Sequence, residues 1–396
     1  MLLRDATLVD SAGVRVGDVR IDGDRIADTG DLAPHGDEPV VDLDGTAVLP
    51  GLVDAHVHYS LSGEPSVEDV IGMSDAELAL TEARNARATL EAGVTGVRVM
   101  GARDVDVEVR DRIAAGDIPG PRTVANCRSI TATGGHGHHL GREITGADDA
   151  RRAVREQAKL GADFIKFMVT GGVTTPGSDP GAVALTDAEI DAIVDEAHRQ
   201  GLHTATHAHG SAGAKAAIEA GVDTVEHGTL LDEEGTEMLV REDVTLVPTL
   251  SAPHHIVRNV DAAAEERTQT EAVYERHLES FRRAVEAGVR VAGGTDAGTP
   301  YNMHGANAAE IQFMHDHAMD ALDAVVAMTE TAADAVGLDD QGTLEPGTYA
   351  DLLLVDGDPT DDLTRLNDPS VVVKGGEVVA GGDPRIRRAL ADALAD

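Results

Sequence analysis

Short apolar runs alternate with longer helical stretches through the middle of this chain. Eight runs with strand-like composition lie near Leu52, Gly96, Thr123, Phe164, Thr204, Thr224, Thr245 and Val291. Helical periodicity, often with an Asp or Thr near its start, marks intervening stretches such as Asp75–Glu91, Ala147–Leu160 and Asp187–Arg199. This alternation is typical of a parallel α/β barrel, whose active site lies at the carboxyl ends of the strands.

The two ends of the chain have a different pattern. The first fifty residues alternate apolar and polar side chains around turns such as Asp22-Gly23-Asp24, as short antiparallel strands do. From about Gly342 onward this pattern returns, with strand-like runs at 352–355 and 371–373. We therefore predict a barrel domain at residues 51–342 and one small β-sandwich domain formed by residues 1–50 and 343–396.

Side chains able to bind metals lie at the carboxyl ends of several apolar runs, namely His56, His58, Lys166, His207, His227 and Asp296. His56 and His58 end one run, and residues two apart on a strand share a face, so both imidazoles can reach one cation. Asp296 follows two glycines, which let the backbone approach a ligand closely. Taken singly, each has an ordinary alternative, because a lone His is usually a core or surface residue and an Asp before Ala-Gly usually a turn or cap.

Lys166 is unusual because the chain has only four lysines and places this one inside the apolar run Asp-Phe-Ile-Lys-Phe-Met-Val. A buried ammonium carries a large desolvation penalty unless its charge state changes. One interpretation is a lysine that extends from a strand end to solvent. The other is chemical modification, since carbon dioxide and a neutral amine form a carbamate, an anionic ligand able to bridge two cations.

In the order His-x-His, Lys, His, His and Asp, these residues resemble the amidohydrolase superfamily. The likeness is to its branch of prolidase-like and arginine-carboxypeptidase-like enzymes, related to imidazolonepropionase. The motifs that carry it cover nearly the whole chain: LPGLVDAHVH at 49–58, GGHG at 134–137, TGGV at 170–173, TPG at 175–177, GTDAGTP at 294–300, GTLEPG at 342–347 and ADL at 350–352. The resemblance implies a distorted (β/α)₈ TIM barrel with a small second domain and one or two divalent metals.

The resemblance also implies how two zinc ions would be held. His56, His58 and Asp296 would bind one ion and His207 with His227 the other, while carboxylated Lys166 would bridge both. Two cations about 3.5–4 Å apart lower the pKa of a bridging water and polarise a carbonyl, so the expected reaction is attack by the bridging hydroxide on an amide. Asp296 is the predicted general acid and base.

Four residues are predicted to contact the substrate or to polarise its carbonyl. The resemblance implies that His136, in a glycine-rich loop, polarises the carbonyl; a flexible loop whose imidazoles face water is the alternative. His209 stands where some dipeptidase-like relatives have Tyr, and it is predicted to contact the substrate. Arg142 is a candidate for a substrate carboxylate, although a surface role is the favoured interpretation. Tyr301 lies in a loop predicted to form a wall of the pocket.

The charge balance restricts the partners and the environment. The chain has 71 acidic and 32 basic residues, a net charge of −39, and 28 of the basic residues are arginine. Such a surface repels polyanions, which argues against nucleic acid and anionic membranes as partners. Self-repulsion of this size destabilises the compact state at low ionic strength, so we predict a high-salt cytoplasm. An ordinary acidic mesophilic enzyme is the alternative.

Three further features concern location and partners. One cysteine, Cys127, cannot form an intrachain disulfide and fits a reducing compartment. The first residues lack the apolar core of a signal peptide, and no run has the roughly 18 apolar residues of a membrane span. Four Tyr, four Phe and no Trp offer no platform for stacking bases. We expect a cytoplasmic protein with a small-molecule substrate, and the sequence leaves a homo-oligomer open.

Three functions from different classes are compatible with the sequence. The first is hydrolysis of a linear amide, such as a dipeptide or an N-acyl amino acid. The second is ring opening of a cyclic amide on the same metals, as in imidazolonepropionase. The third is a barrel that has lost its chemistry and acts as a scaffold. A deaminase is less favoured, because its single-metal site normally lacks a counterpart of Lys166.

Overall fold

The structure is a computed structural model that describes residues 1–172, 179–262, 264–381, 384 and 388. Val173, the motif at 175–177 and most of the segment after residue 381 therefore lie outside the described residues. The described strands, in chain order, are β1 (Leu2–Asp10), β2 (Gly13–Asp22), β3 (Arg25–Gly30), β4 (Val40–Asp42), β5 (Thr46–Pro50), β6 (Leu52–Val57), β7 (Val94–Val99), β8 (Arg122–Ala125), β9 (Ile130–Ala132), β10 (Arg142–Ile144), β11 (Phe164–Met168), β12 (His203–Gly210), β13 (Thr224–Leu230), β14 (Thr245–Val247), β15 (Leu352–Asp356), β16 (Val371–Lys374) and β17 (Glu377–Gly381).

The described α-helices are α1 (Asp75–Glu91), α2 (Val105–Ala114), α3 (Ala147–Leu160), α4 (Asp187–Arg199), α5 (Ser211–Glu219), α6 (Glu233–Arg241), α7 (Ser251–Arg258), α8 (Ala264–Glu286), α9 (Ala309–His317), α10 (Ala321–Ala327) and α11 (Glu330–Ala335). Short 3₁₀ helices lie at Val67–Gly72 and Leu363–Asn367. None of the described helices combines the length and the apolar composition needed to cross a bilayer.

Local sequence explains the three helices predicted above, which have the predicted bounds. α1 begins with a capping box in which Ser74 and Glu77 each accept from the other's backbone N–H. Thr186 and Glu189 form the same box at the start of α4. α3 ends at Gly161, whose φ of 95° is a left-handed conformation that a side chain would disfavour. Each helix therefore begins or ends where its own residues satisfy the free backbone groups.

The two ends of the chain meet in one sheet. Within the described residues this sheet has eight strands in the order β17-β16-β15-β5-β1-β2-β3, with β4 also paired to β1. β5 joins the two ends, since it pairs with β1 in parallel and with β15 antiparallel. The inner face buries Leu3, Leu8, Val19, Leu352 and Leu354. A division of these strands into the two layers of a sandwich stays a prediction.

The middle of the chain forms two parallel sheets. One has the order β6-β7-β8 and the other β10-β9-β11-β12-β13-β14, so seven of the eight predicted runs are strands. β9 and β10 are short strands that were not among the predicted runs. All pairings within the two sheets are parallel, as the predicted barrel requires.

The eighth predicted run, near Val291, is not a regular strand, and this prediction is wrong. Val291 forms only an isolated bridge to Leu246, and Ala297 forms another to Val57. Between these bridges, a Cβ atom on Gly294 would lie 2.9 Å from the Cβ of His56. Glycine lets the backbone approach this closely and also weakens a regular strand. The segment 290–298 therefore lies between β14 and β6, where it connects the two sheets by hydrogen bonds to both.

Candidate metal centre

A buried carboxylate holds the segment that carries Asp296 against β6. The Asp54 Oδ1 atom accepts from the backbone N–H groups of His56 (3.1 Å) and Thr295 (3.0 Å). Its Oδ2 atom accepts from the Thr295 hydroxyl (2.6 Å) and the Asn307 amide (2.7 Å). These bonds join two segments about 240 residues apart, and they place Asp296 beside the imidazoles at the end of β6.

Asp296 forms the first ligand group together with His56 and His58. Its Oδ1 atom lies 3.3 Å from the Nε2 atom of His56 and 3.1 Å from that of His58. The His56 Nδ1 atom lies 2.7 Å from a Glu226 carboxylate oxygen, which can only accept, so a neutral His56 ring has its lone pair on Nε2.

That lone pair faces a second acceptor, the Asp296 Oδ1 atom at 3.3 Å. This oxygen is buried and has no hydrogen-bond partner among the described residues. A cation between these atoms would satisfy both of them. Imidazole nitrogens with one carboxylate oxygen are a donor set that suits zinc. The residues present therefore fit a divalent metal at this position.

The second ligand group consists of His207, His209 and His227. Their ligand atoms all lie within 4.8 Å of one another, and all three side chains are buried. His207 and His209 project from the same face of β12, two residues apart, and His227 lies on the neighbouring strand β13. The structure thus brings together the two predicted ligands and one residue that the sequence assigned to the substrate.

Lys166 lies on β11 and is 1% exposed, so the interpretation that it extends to solvent is wrong. Burial lowers the pKa of its amine to about 8, which makes the neutral form accessible near physiological pH. Lys166 lines the same cavity as both ligand groups.

An ion pair that the sequence did not predict lies behind the first group. The Glu226 Oε1 atom accepts from the Arg98 guanidinium at 2.8 Å and from the Thr224 hydroxyl at 2.6 Å, and Arg98 also donates to the Ala55 carbonyl. Burial alone would raise the pKa of Glu226, but the Arg98 charge and the His56 hydrogen bond lower it to about 2. The sequence did contain a sign of this ion pair, because the acidic Glu226 lies inside the apolar run that ends at His227.

Both ligand groups line one cavity of about 200 Å³. His136 lies in its wall, with its ring 4.5 Å from that of His207, and burial lowers the pKa of His136 to about 4. A Cβ atom on Gly172 would lie within 2.4 Å of the His136 ring, so this glycine makes room for it. His136 is therefore a neutral imidazole packed into the wall. His139 also lines the cavity and was missed by the sequence analysis.

Two predicted substrate contacts lie elsewhere. Arg142 donates to Asp149 at 2.9 Å and to Glu156 at 2.8 Å, an arrangement that agrees with its favoured surface interpretation. Tyr301 follows Pro300 but, like Arg142, is not among the described residues that line the cavity. The structure gives no support to substrate binding by either side chain.

An α/β fold with side chains that could bind metal near the carboxyl ends of its parallel strands is the arrangement found in metal-dependent enzymes with a barrel scaffold. Residues 47–379 match the Amidohydrolase family, and the chain belongs to that family.

Known relatives agree with this assignment. The chain is 30% identical to ochratoxinase of Aspergillus niger over 370 residues, which cover 84% of this chain and 76% of that protein. It is 28% identical to imidazolonepropionase of Streptomyces coelicolor over 377 residues, covering 87% and 86%. The crystal structure of a Xaa-Pro dipeptidase with bound methionine matches it with a TM-score of 0.88 at 33% identity, covering 95% of this chain and 98% of that one. The protein is thus a hydrolase that acts on carbon–nitrogen bonds, in a family that typically uses divalent metals.

Proposed function

We propose that this protein is a binuclear zinc hydrolase that cleaves the amide bond of a dipeptide or an N-acyl amino acid. The observation that carries the proposal is the convergence of two ligand groups and the buried Lys166 amine on one cavity. The likeness to a Xaa-Pro dipeptidase supports a linear amide as substrate. We infer that Lys166 is carboxylated and bridges the two metals.

Zinc, when bound by these groups, would supply a Lewis acid and would lower the pKa of water toward neutrality. Asp296 would accept the proton of the attacking water and deliver it to the leaving nitrogen. Neutral His136 would donate a hydrogen bond to the substrate carbonyl and stabilise the negative charge that develops on its oxygen. Glu226 holds the His56 ring in the tautomer that leaves Nε2 free.

The residues that form the cavity wall favour a substrate with an apolar group. Val67, Ile71, Met168, Ile256 and Val273 line it, and Lys166 is the one Lys or Arg side chain among the described lining residues. The undescribed segment that follows Gly172 (173–178) contains no Lys or Arg either. An apolar amino acid or acyl group buried there would gain roughly 25 cal/mol per Å² of apolar surface.

A cyclic amide is the second candidate substrate. The likeness to imidazolonepropionase over 87% of this chain favours it. The same ligand groups and the same Asp296 would serve both reactions, because each needs attack by water on an amide carbonyl.

We further propose that the protein works in a cytoplasm of high salt concentration. The net charge of −39 supports this, since the repulsion between unpaired carboxylates weakens as the ionic strength rises.

The test is hydrolysis of a panel of dipeptides, N-acyl amino acids and cyclic amides in molar KCl with zinc and bicarbonate. We expect cleavage of linear amides with apolar groups. Asp296→Asn should lower kcat by about 10²-fold or more with a smaller change in KM, because it removes the proton carrier. Asp37→Asn, an exposed carboxylate in the terminal domain, is the control. Cleavage of cyclic amides alone would favour the second candidate, and near-native turnover in Asp296→Asn would disprove its role.

A further inference from the structure

The three rings of the second ligand group lie at similar distances from one another. Their centroids are separated by 4.5 Å between His207 and His209, 4.6 Å between His207 and His227, and 4.9 Å between His209 and His227. Because the candidate ligand atoms of these side chains also lie within 4.8 Å of one another, one cation could contact all three imidazoles.

Each of the three rings is also oriented by the protein through one nitrogen. The His227 Nδ1 atom lies 2.7 Å from the Thr249 hydroxyl oxygen, and that hydroxyl donates its own hydrogen to the Pro248 carbonyl. The hydroxyl must therefore accept from His227, whose Nε2 atom is left with a free lone pair. The His207 Nε2 atom donates to the Gly171 carbonyl at 3.2 Å, so its Nδ1 atom has the lone pair.

His209 has the same kind of support. Its Nδ1 atom lies 2.7 Å from the Thr229 hydroxyl, at the same distance as the contact between His227 and Thr249. Histidines that bind metals are regularly held through their second nitrogen in this way. A substrate contact alone would not require His209 to lie within 4.8 Å of two other ligand atoms.

We propose that His209 is a third ligand of the metal held by His207 and His227. The inference rests on the proposed two-metal centre and changes the predicted role of His209 from substrate contact to metal ligand. Two imidazoles and the inferred carboxylated Lys166 would supply three protein ligands, and a third imidazole would complete a four-coordinate site. The second metal would then be held without any contribution from the substrate.

The experiment measures metal binding rather than turnover. Full-length metal-free protein is dialysed against buffered Zn²⁺ with bicarbonate, and bound zinc is counted by mass spectrometry at several free Zn²⁺ concentrations. Replacement with Co²⁺ adds an absorption spectrum that reports the donor set. The variants are His209→Ala, His209→Gln and Thr229→Val, and His138→Ala is the control from a nearby loop. Circular dichroism of each metal-free variant checks that it folds.

We expect two zinc ions per chain in the wild-type protein and in His138→Ala. Both His209 variants should retain the first ion and bind the second at least about tenfold more weakly, with an altered Co²⁺ spectrum. Thr229→Val keeps the His209 imidazole but removes the hydroxyl that orients it, so this variant should also bind the second zinc ion more weakly.

The inference would be overturned if both His209 variants bound two ions with wild-type affinity and an unchanged Co²⁺ spectrum; the two-metal proposal would then stand without it. Fewer than two ions in the wild-type protein would overturn the two-metal proposal itself, and the inference with it.

Discussion

Glu226 shows how one residue can organise a site without belonging to it. One oxygen of this buried carboxylate accepts from His56 and the other from Arg98. Glu226 therefore orients the ring of a candidate ligand and also neutralises the charge of the Arg98 guanidinium. The chain separates Glu226 from its two partners by 170 and 128 residues. Such a contact depends on which strands come to face one another in the folded chain, and residue type and spacing along the chain do not determine that.

Replacement of Glu226 by Gln tests this role. The amide would leave the Arg98 guanidinium buried without a counter-charge, and we expect a loss of about 3–5 kcal/mol in the free energy of unfolding. Zinc affinity at the His56 group should fall about 10- to 100-fold, because the amide keeps one acceptor oxygen where His56 and Arg98 now use two. Urea unfolding and zinc titration measure the two effects. Glu91→Gln, which breaks an exposed pair with Arg87, should cost about 0.5 kcal/mol or less. A similarly small cost for Glu226→Gln would contradict the role.

At the scale of helices and strands, α8 supports the end of β13. His277 donates to the His227 carbonyl at 2.9 Å and Ser280 to the Gly228 carbonyl at 2.7 Å. His227 has a φ of 70°, a conformation that costs of order 1–3 kcal/mol in a residue other than glycine. These hydrogen bonds hold the strand end that carries this ligand.

The sequence predicted some of these elements and not others, for physical reasons. The bounds of α1, α3 and α4 follow from caps and periodicity, which are local. The placement of His207 and His209 on one face follows from the two-residue period of a strand. The partners of α8 and the irregular segment near Val291 depend on tertiary contacts, and no local pattern encodes them. Local patterns in the sequence therefore predict most of the parallel strands and the candidate ligands, but not the groups that orient those side chains.

A buried pair of carboxyl groups between α1 and α2 should make stability depend on pH. Burial, together with the charge of Asp106, raises the pKa of Glu82 well above its usual value, and burial raises that of Asp106 to about 7. Within the described part of the chain, both Glu82 oxygens and one Asp106 oxygen have no hydrogen-bond partner. The folded chain thus holds protons that the unfolded chain releases, so the free energy of unfolding falls as the pH rises from about 4 to about 7.

Glu82→Gln should remove much of the pH dependence of the free energy of unfolding. We expect the variant to be more stable than the wild type at pH 8, by an amount on the order of 2 kcal/mol, because one buried charge is gone. Urea unfolding between pH 5 and pH 8 measures the slope, and Glu91→Gln, exposed on the same helix, should leave it unchanged. If the free energy of unfolding changed with pH in the same way in the wild type and in Glu82→Gln, the pair of Glu82 and Asp106 would not control the pH dependence.

At the scale of the whole molecule, charged contacts join the terminal sheet to the parallel sheet that contains β8. Arg122 of β8 pairs with Asp351 at 3.1 Å, and the Tyr349 ring lies between the guanidinium groups of Arg122 and Arg25, at 3.4 and 3.6 Å from the ring centroid. Arginines elsewhere also lie in ion pairs. With 71 acidic and 32 basic residues, a pair for every cation would still leave an excess of 39 carboxylates, which is the net charge of −39.

That excess predicts a marked effect of salt on stability. The Debye length falls from about 10 Å at 0.1 M to about 3 Å at 1 M salt, so repulsion among the unpaired carboxylates is largely screened in molar KCl. Screening also weakens exposed ion pairs, but each of these contributes little, so the reduction in repulsion should dominate. A gain of a few kcal/mol in the free energy of unfolding would raise the thermal midpoint by roughly 5 °C or more in a chain of this size.

Thermal unfolding in dilute buffer, in molar KCl and in sucrose of equal osmolality distinguishes screening of charges from the exclusion of solutes from the protein surface. A midpoint that is the same in dilute and molar KCl would contradict the proposed high-salt environment, whereas a rise in KCl well beyond that in sucrose would support it.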